Sequence, residues 1–176
     1  MAIIKGIKGK RPVFGKNNFL AENATVTGDV TMGDNCSVWY NGVVRGDVCS
    51  IEVGDNCNIQ DGAVIHGTLD LSKTVLGKNV SIGHNAIVHG ATIEDNVLIG
   101  MGAIVMDNAI IRTGAVVAAG AVVAAGAVVL ANTVVEAGAL YAGTPAKKVK
   151  MVDERLKKVV DKTPEHYIMY ASWIED

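Results

Sequence analysis

The sequence predicts an all-β fold: a parallel β-helix wound as a triangular prism, with a short α-helical tail behind it. Three observations carry this. Eight aliphatic residues fall six apart without a slip: Ile93, Ile99, Val105, Ile111, Val117, Val123, Val129 and Val135. Four residues after each sits a mostly small one: Val97, Ala103, Ala109, Ala115, Ala121, Ala127, Thr133 and Ala139. Aromatic residues make up only 5% of a chain that is 49% hydrophobic. Neither a helix nor a single strand gives a period of six. A coil with one short strand and one turn per hexad does, three hexads closing one triangular turn. The aliphatic residue points into the prism, the small one fits where the walls converge, and a thin prism has little room for rings.

The register extends backward from Ile93. Inward positions run Leu20, Val26, Met32, Val38 and Val44, then Val53 after a nine-residue step, then Ile59 and Ile65. An eleven-residue step leads to Leu76, Ile82 and Val88, and a five-residue step returns to Ile93. Tyr141 takes the last slot. The long steps predict loops pushed out of corners near Asp47–Glu52 and Thr68–Val75, where a rigid scaffold commonly carries its chemistry. Counting Leu71 as an extra inward step is the less favoured alternative. At ~4.8 Å per coil the six to seven coils would stand roughly 30 Å tall.

Residues 1–146 form the predicted β-helix domain, and 147–176 the helical tail packing on it. Asp153–Val160 reads as one short helix, with Leu156, Val159 and Val160 toward the prism. Thr163-Pro164-Glu165 reads as the start of a second, running to about Ile174, because proline favours the first helical turn.

The single domain has a formal charge of −2 and no basic run, which argues against a nucleic-acid partner. Nothing resembles a signal peptide or membrane span, so the cytoplasm is the expected location and no membrane partner is expected. Three cysteines do not suggest a disulfide framework. Cys36 and Cys57 fall on the small inward position and read as core; Cys49 has no assigned role.

The histidines carry the chemistry. His66 follows inward Ile65 and His89 follows inward Val88, three steps apart, so the two stack on one corner in neighbouring coils, ~5 Å apart along the backbone. Two imidazoles so placed can share one metal ion. Arg45 follows Val44 and stacks on the same corner, with Asp47 adjoining. His84 lies two residues after Ile82, on the preceding corner, beside Asp61 and Gln60. A neighbouring chain could bring its His84 to the His66–His89 corner, and repeating that contact around a threefold axis closes a homotrimer with three shared sites. His166 reads as surface.

Several stretches resemble the gamma-class carbonic anhydrase family of left-handed parallel β-helix proteins. They are Trp39-Tyr-Asn-Gly-Val-Val-Arg-Gly-Asp47, Val53-Gly-Asp-Asn-Cys-Asn-Ile-Gln-Asp61, Val64-Ile-His66, Ile82-Gly-His-Asn-Ala-Ile-Val-His-Gly90 and Tyr141-Ala-Gly-Thr-Pro-Ala-Lys. The resemblance implies a metal-bound hydroxide that converts carbon dioxide to bicarbonate, a lyase activity. It implies one divalent metal per subunit interface, zinc first with iron or cobalt as alternatives, held by His66 and His89 of one chain and His84 of the next. It further implies that Gln60 orients the hydroxide and Asn58 shapes the pocket. Arg45 would pair across the interface with Asp61, with Asp47 ordering that junction, and Tyr167 would approach from the tail. Two departures accompany the resemblance: Val48 follows Asp47 where the best-known archaeal member carries a glutamate, and 115–129, which repeats Ala-Val-Val-Ala-Ala-Gly, is one hexad longer than the resemblance implies, which would turn the rest of the chain, Tyr167 with it, by about a third of a coil. Other members of the wider group imply two alternatives: coenzyme A thioester hydrolysis or acyl transfer, with acyl-CoA as substrate, and a noncatalytic metal-binding accessory role.

Overall fold

The computed structural model describes residues 1–117 and 126–175. Short strands, most of them of two or three residues, stack in parallel into the three faces of a prism. On the first face Val26 pairs with Val44, Val44 with Ile65, Ile65 with Val88 and Val88 with Val105. On the second, Met32, Val53, Leu76, Ile93 and Ile111 follow one another. On the third, Leu20, Val38, Ile59, Ile82, Ile99 and Val117 do so. This is the register read from the sequence. Its inward residues form one continuous core, with Val26, Val44, Ile59, Ile65, Ile82, Val88, Ile99 and Val105 fully buried beside Cys36 and Cys57.

The corners explain why the coil turns without strain. Asn35, Asn56, Asn79 and Asn96 adopt positive φ between 55° and 59°, a region asparagine enters more readily than most residues. Their side chains form a ladder: Asn35 Nδ2 donates to Asn56 Oδ1 at 3.1 Å, Asn56 to Asn79 at 3.0 Å and Asn79 to Asn96 at 3.0 Å.

Four expectations need correction. First, Val105 pairs with Val129, Ile111 with Val135 and Val117 with Tyr141. Each pair is twenty-four residues apart, against eighteen for Ile93 and Ile111. The described strands on either side of 118–125 therefore pair as though the interval held one hexad rather than two, and the coil resumes in phase instead of turning by a third. Ala121 and Val123, two of the expected repeat positions, lie outside the described residues.

Second, Asp47–Glu52 is not a separate loop. One strand runs through Val43–Val53 and rounds a corner, and its pairing breaks where Gly46–Ile51 opposes Gly28–Val30. Residues 47–50 bow out of the ladder as a bulge, which aims side chains without ending the strand. The Thr68–Val75 loop is shorter than expected, because strand pairing resumes at Thr74. Leu71 is 59% exposed, so it is not an inward step.

Third, the tail begins with a strand, Lys147–Met151, antiparallel to Ala139–Ala142. One helix follows, Glu154–Ala171, capped by Asp153 accepting from the Leu156 N–H, with Pro164 inside it rather than at a helix start. Fourth, Leu156 is half-buried, Val160 and Pro164 are buried, and Val159 is exposed. Residues 156, 160, 164, 167 and 171 form the inward stripe expected of an amphipathic helix, and packing of that stripe on Ser37–Val38 and Ser81–Ile82 outweighs the proline's lost hydrogen bond. No helix among the described residues is long and apolar enough to cross a membrane.

Candidate metal centre

The first corner is built by parallel pairing. Strand Val64–His66 lies beside Ile87–His89 with His66 opposite His89. The rings meet edge to face with centroids 5.1 Å apart, and His66 Nδ1 stands 3.2 Å from His89 Nε2. Each ring's other nitrogen is held by a carboxylate. His66 Nε2 lies 2.9 Å from Asp47 Oδ1, and His89 Nδ1 lies 3.1 Å from Asp107 Oδ2. Arg45 Nη1 donates to the other oxygen of Asp47, and its Nη2 lies 3.4 Å from His66 Nδ1.

Both carboxylates are ionised at neutral pH. Burial alone would raise Asp47, but the His66 ring and the Arg45 guanidinium outweigh it and hold it below the usual range. Burial likewise acts against Asp107, and hydrogen bonds from Ser72, Thr68 and His89 outweigh it. An ionised carboxylate can only accept. Each imidazole therefore donates its N–H to its aspartate, and a neutral ring turns its bare nitrogen toward the other histidine. The two lone pairs, 3.2 Å apart, repel unless a proton or cation lies between them, and the Arg45 guanidinium, which can only donate, reaches the His66 nitrogen alone, at 3.4 Å. Two nitrogens bound at about 2.0–2.1 Å to one tetrahedral ion stand about 3.3–3.4 Å apart. The donor set and its spacing thus fit a divalent metal, with the aspartates as the outer partners that fix ligand tautomers.

The preceding corner repeats the pattern. Asp61, two residues past Ile59, reaches His84, two residues past Ile82, with Oδ2 2.8 Å from Nδ1. The Tyr167 hydroxyl lies 3.3 Å from His84 Nε2, and Tyr167 packs edge-on against Trp39. Burial, reinforced by the Asp61 and Tyr170 charges, pushes the phenol up to about 12, so it is a donor. Gln60 and Asn58 are 4% and 1% exposed. Gln60 Nε2 donates to Asn58 Oδ1 at 2.9 Å, and Asn58 Nδ2 to Ser81 Oγ at 2.8 Å. This chain pins the Gln60 amide with its carbonyl free of any hydrogen bond from the described residues.

The candidate residues thus fall into two groups: Arg45, Asp47, His66 and His89 on one corner, and Asn58, Gln60, Asp61, His84 and Tyr167 on the other. Among the described residues of one chain, no three histidine, cysteine or carboxylate side chains converge to hold a metal. Within the chain Arg45 is satisfied by Asp47, and Asp61 by His84. Sequence reasoning missed Asp107 and Ser72. Asp107 was within reach of the register, since it lies two residues past Val105, which stacks on Val88. Ser72 lies in an off-register loop and gave no such signal. An apolar groove of 490 Å³ opens between the helix and the third face, lined by Leu98, Met101, Leu140, Leu156 and Val159 with Gln60 and Tyr167 at the site.

The bacterial transferase hexapeptide (six repeats) family matches residues 90–125. A Methanocaldococcus jannaschii protein described as a probable carbonic anhydrase is 50% identical over 86 residues, 49% of this chain and 54% of that protein. The mitochondrial gamma carbonic anhydrase 1 of Arabidopsis thaliana is 43% identical over 98 residues, 53% of this chain and 36% of its own. The match thus spans about half or less of these relatives. A solved structure of a hexapeptide transferase family protein from Anaplasma phagocytophilum superposes with a TM-score of 0.90 at 39% identity, covering 98% of both chains. With the hexad register and the paired histidine corner, these likenesses establish that the chain belongs to the gamma-class carbonic anhydrase-like family of hexapeptide-repeat, left-handed β-helix proteins.

Proposed function

We propose that this protein hydrates carbon dioxide reversibly to bicarbonate at a metal site shared between subunits of a homotrimer. The single observation that carries the reading is the approach of His66 Nδ1 to His89 Nε2, 3.2 Å apart, with the far nitrogen of each ring on an aspartate. His66 and His89 supply two ligands from one chain, and His84 of a neighbouring chain supplies the third. Zinc is the first candidate, then iron or cobalt; the bound cation supplies the Lewis acidity that makes water a nucleophile near neutral pH.

The remaining work falls to this chain's own groups. Gln60, fixed through Asn58, offers its carbonyl oxygen to the proton of the attacking water and so aims the water's lone pair at the carbon of carbon dioxide. Asp47 and Asp61 hold His66 and His84 in the tautomers that leave one nitrogen available. The Tyr167 hydroxyl, protonated at working pH, lies 3.3 Å from His84 Nε2 in the single chain; with that nitrogen engaged by the cation, the hydroxyl would be released to donate to an oxygen of the bicarbonate product. Arg45 bridges subunits by meeting Asp61 of the neighbouring chain, in a charge-assisted pair that sets orientation as well as affinity.

Stopped-flow hydration of carbon dioxide by zinc-loaded and iron-loaded protein tests this. Turnover that disappears in His89→Ala supports it; metal-loaded trimer with no hydration contradicts it. One observation favours a second reading, hydrolysis of a coenzyme A thioester: the groove beside Gln60 and Tyr167 is far larger than carbon dioxide needs. Acyl-CoA turnover without hydration would establish that reading, and metal uptake with neither activity would leave the accessory role.

A further inference from the structure

The segment between His66 and Thr74 is an off-register loop on the histidine corner, and its hydrogen bonds converge on one carboxylate. The Ser72 hydroxyl accepts from the Thr68 N–H at 3.0 Å and donates to Asp107 Oδ1. The other oxygen of Asp107 takes the His89 Nδ1–H. The loop's base is closed by Thr74, whose hydroxyl donates to the His66 carbonyl and accepts from the Gly90 N–H at 3.1 Å. Gly90 makes room for this. It has φ +61°, and a Cβ there would lie 2.0 Å from Ser72 Oγ and 2.4 Å from Asp107 Oδ1. The residue after His89 is therefore glycine both for its backbone and because the serine–aspartate contact fills the space a side chain would take.

We propose that Asp107, locked by Ser72, is the positioning residue for His89: it keeps the proton on Nδ1 and aims Nε2 at His66. Ser72 extends that control to the 67–73 loop, so a loop that supplies no ligand sets how well the corner holds its ion. A carboxylate with one oxygen anchored by a hydroxyl has one orientation left for the other, and the imidazole follows it. The tautomer stands on this chain alone; its consequence for metal affinity rests on the function proposed above.

Two readouts test it on the full-length protein. The first is the imidazole ¹H–¹⁵N correlation spectrum of the metal-free protein, on the neutral ring. Wild-type His89 should carry its proton on Nδ1. In Asp107→Asn the amide can donate to Nδ1, so the proton should move to Nε2. The second is cobalt(II) affinity by competition with a chelator, expected to fall by roughly 10- to 100-fold in Asp107→Asn, and by less in Ser72→Ala, which removes only the anchoring hydroxyl. A His89 tautomer that is Nε2–H in the wild type, or unchanged in Asp107→Asn, overturns the proposal. Should Asp107→Asn fail to fold, Ser72→Ala decides: unchanged cobalt affinity there counts against the proposal. Wild-type protein with the Nδ1–H tautomer and no cobalt uptake supports the positioning role while removing the metal reading.

Discussion

His66 Nδ1 faces His89 Nε2 across 3.2 Å, and the far nitrogen of each ring is held by an aspartate. Both rings project from the outward side of a coil whose neighbouring inward residues, Ile65 and Val88, are fully buried. His89→Ala should therefore abolish metal binding while leaving thermal unfolding within a few degrees of wild type. Metal analysis alongside a melting curve checks this, and an unfolded variant would show that the ring also serves the core.

Arg45→Ala should weaken assembly far more than it disturbs the coil. The arginine faces outward, and loss of one partner from a charged pair at an interface costs about 2–5 kcal/mol. Sedimentation at falling concentration should show dissociation at least tenfold earlier than in the wild type; an unchanged trimer mass would count against an interfacial role.

Ile65→Ala removes a fully buried side chain from the middle of the first face. A cost of about 2–5 kcal/mol is expected in urea unfolding. A cost below about 1 kcal/mol would mean that the narrow prism collapses around the gap.

The asparagine ladder separates two contributions at one site. Asn56 has φ +59° and both donates to and accepts from its neighbours. Asn56→Gly loses the ladder but keeps the backbone unstrained, whereas Asn56→Ala loses both, so alanine should be worse by about 1 kcal/mol. Equal stabilities would show that backbone strain is negligible at this corner.

Glu94 links two coils, accepting from Arg112 Nη1 at 2.8 Å and from the Thr113 N–H and hydroxyl at 3.0 and 3.1 Å. The Thr113 N–H above all holds its carboxyl below the usual range, with the Thr113 hydroxyl and Arg112 adding to it against burial. Because the folded value is depressed, this stabilisation is present above the unfolded carboxylate range and is lost as pH falls through the folded value. Glu94→Gln should cost about 1 kcal/mol at pH 7, and the difference from wild type should begin to shrink as pH falls below about 4.3, the unfolded glutamate value, and vanish once the depressed folded value is passed. A difference independent of pH would place the effect in packing.

The register from Leu20 to Val117 was legible because each inward position must be aliphatic and each corner tolerates only a few residue types. That rule located His66, His84, His89, Arg45 and Asp61 by phase alone. The inward rule holds again at Val129, Val135 and Tyr141, which are buried; only the expected turn of a third of a coil failed, because strand pairing on the two sides of 118–125 is in phase. Pro164 misled for a local reason: proline usually marks a helix start, yet here buried contacts hold it inside one. Asp107 was overlooked because it lies one coil from His89 and one residue further along, and Ser72 because an off-register loop has no phase.

A metal site shared in the proposed way is completed only in an oligomer. Native mass spectrometry of zinc-supplemented protein tests it most directly. A trimer should carry about one ion per chain and monomers none, as expected for a closed ring of shared sites. Zinc retained on monomers, or a trimer that takes up no metal, would contradict it.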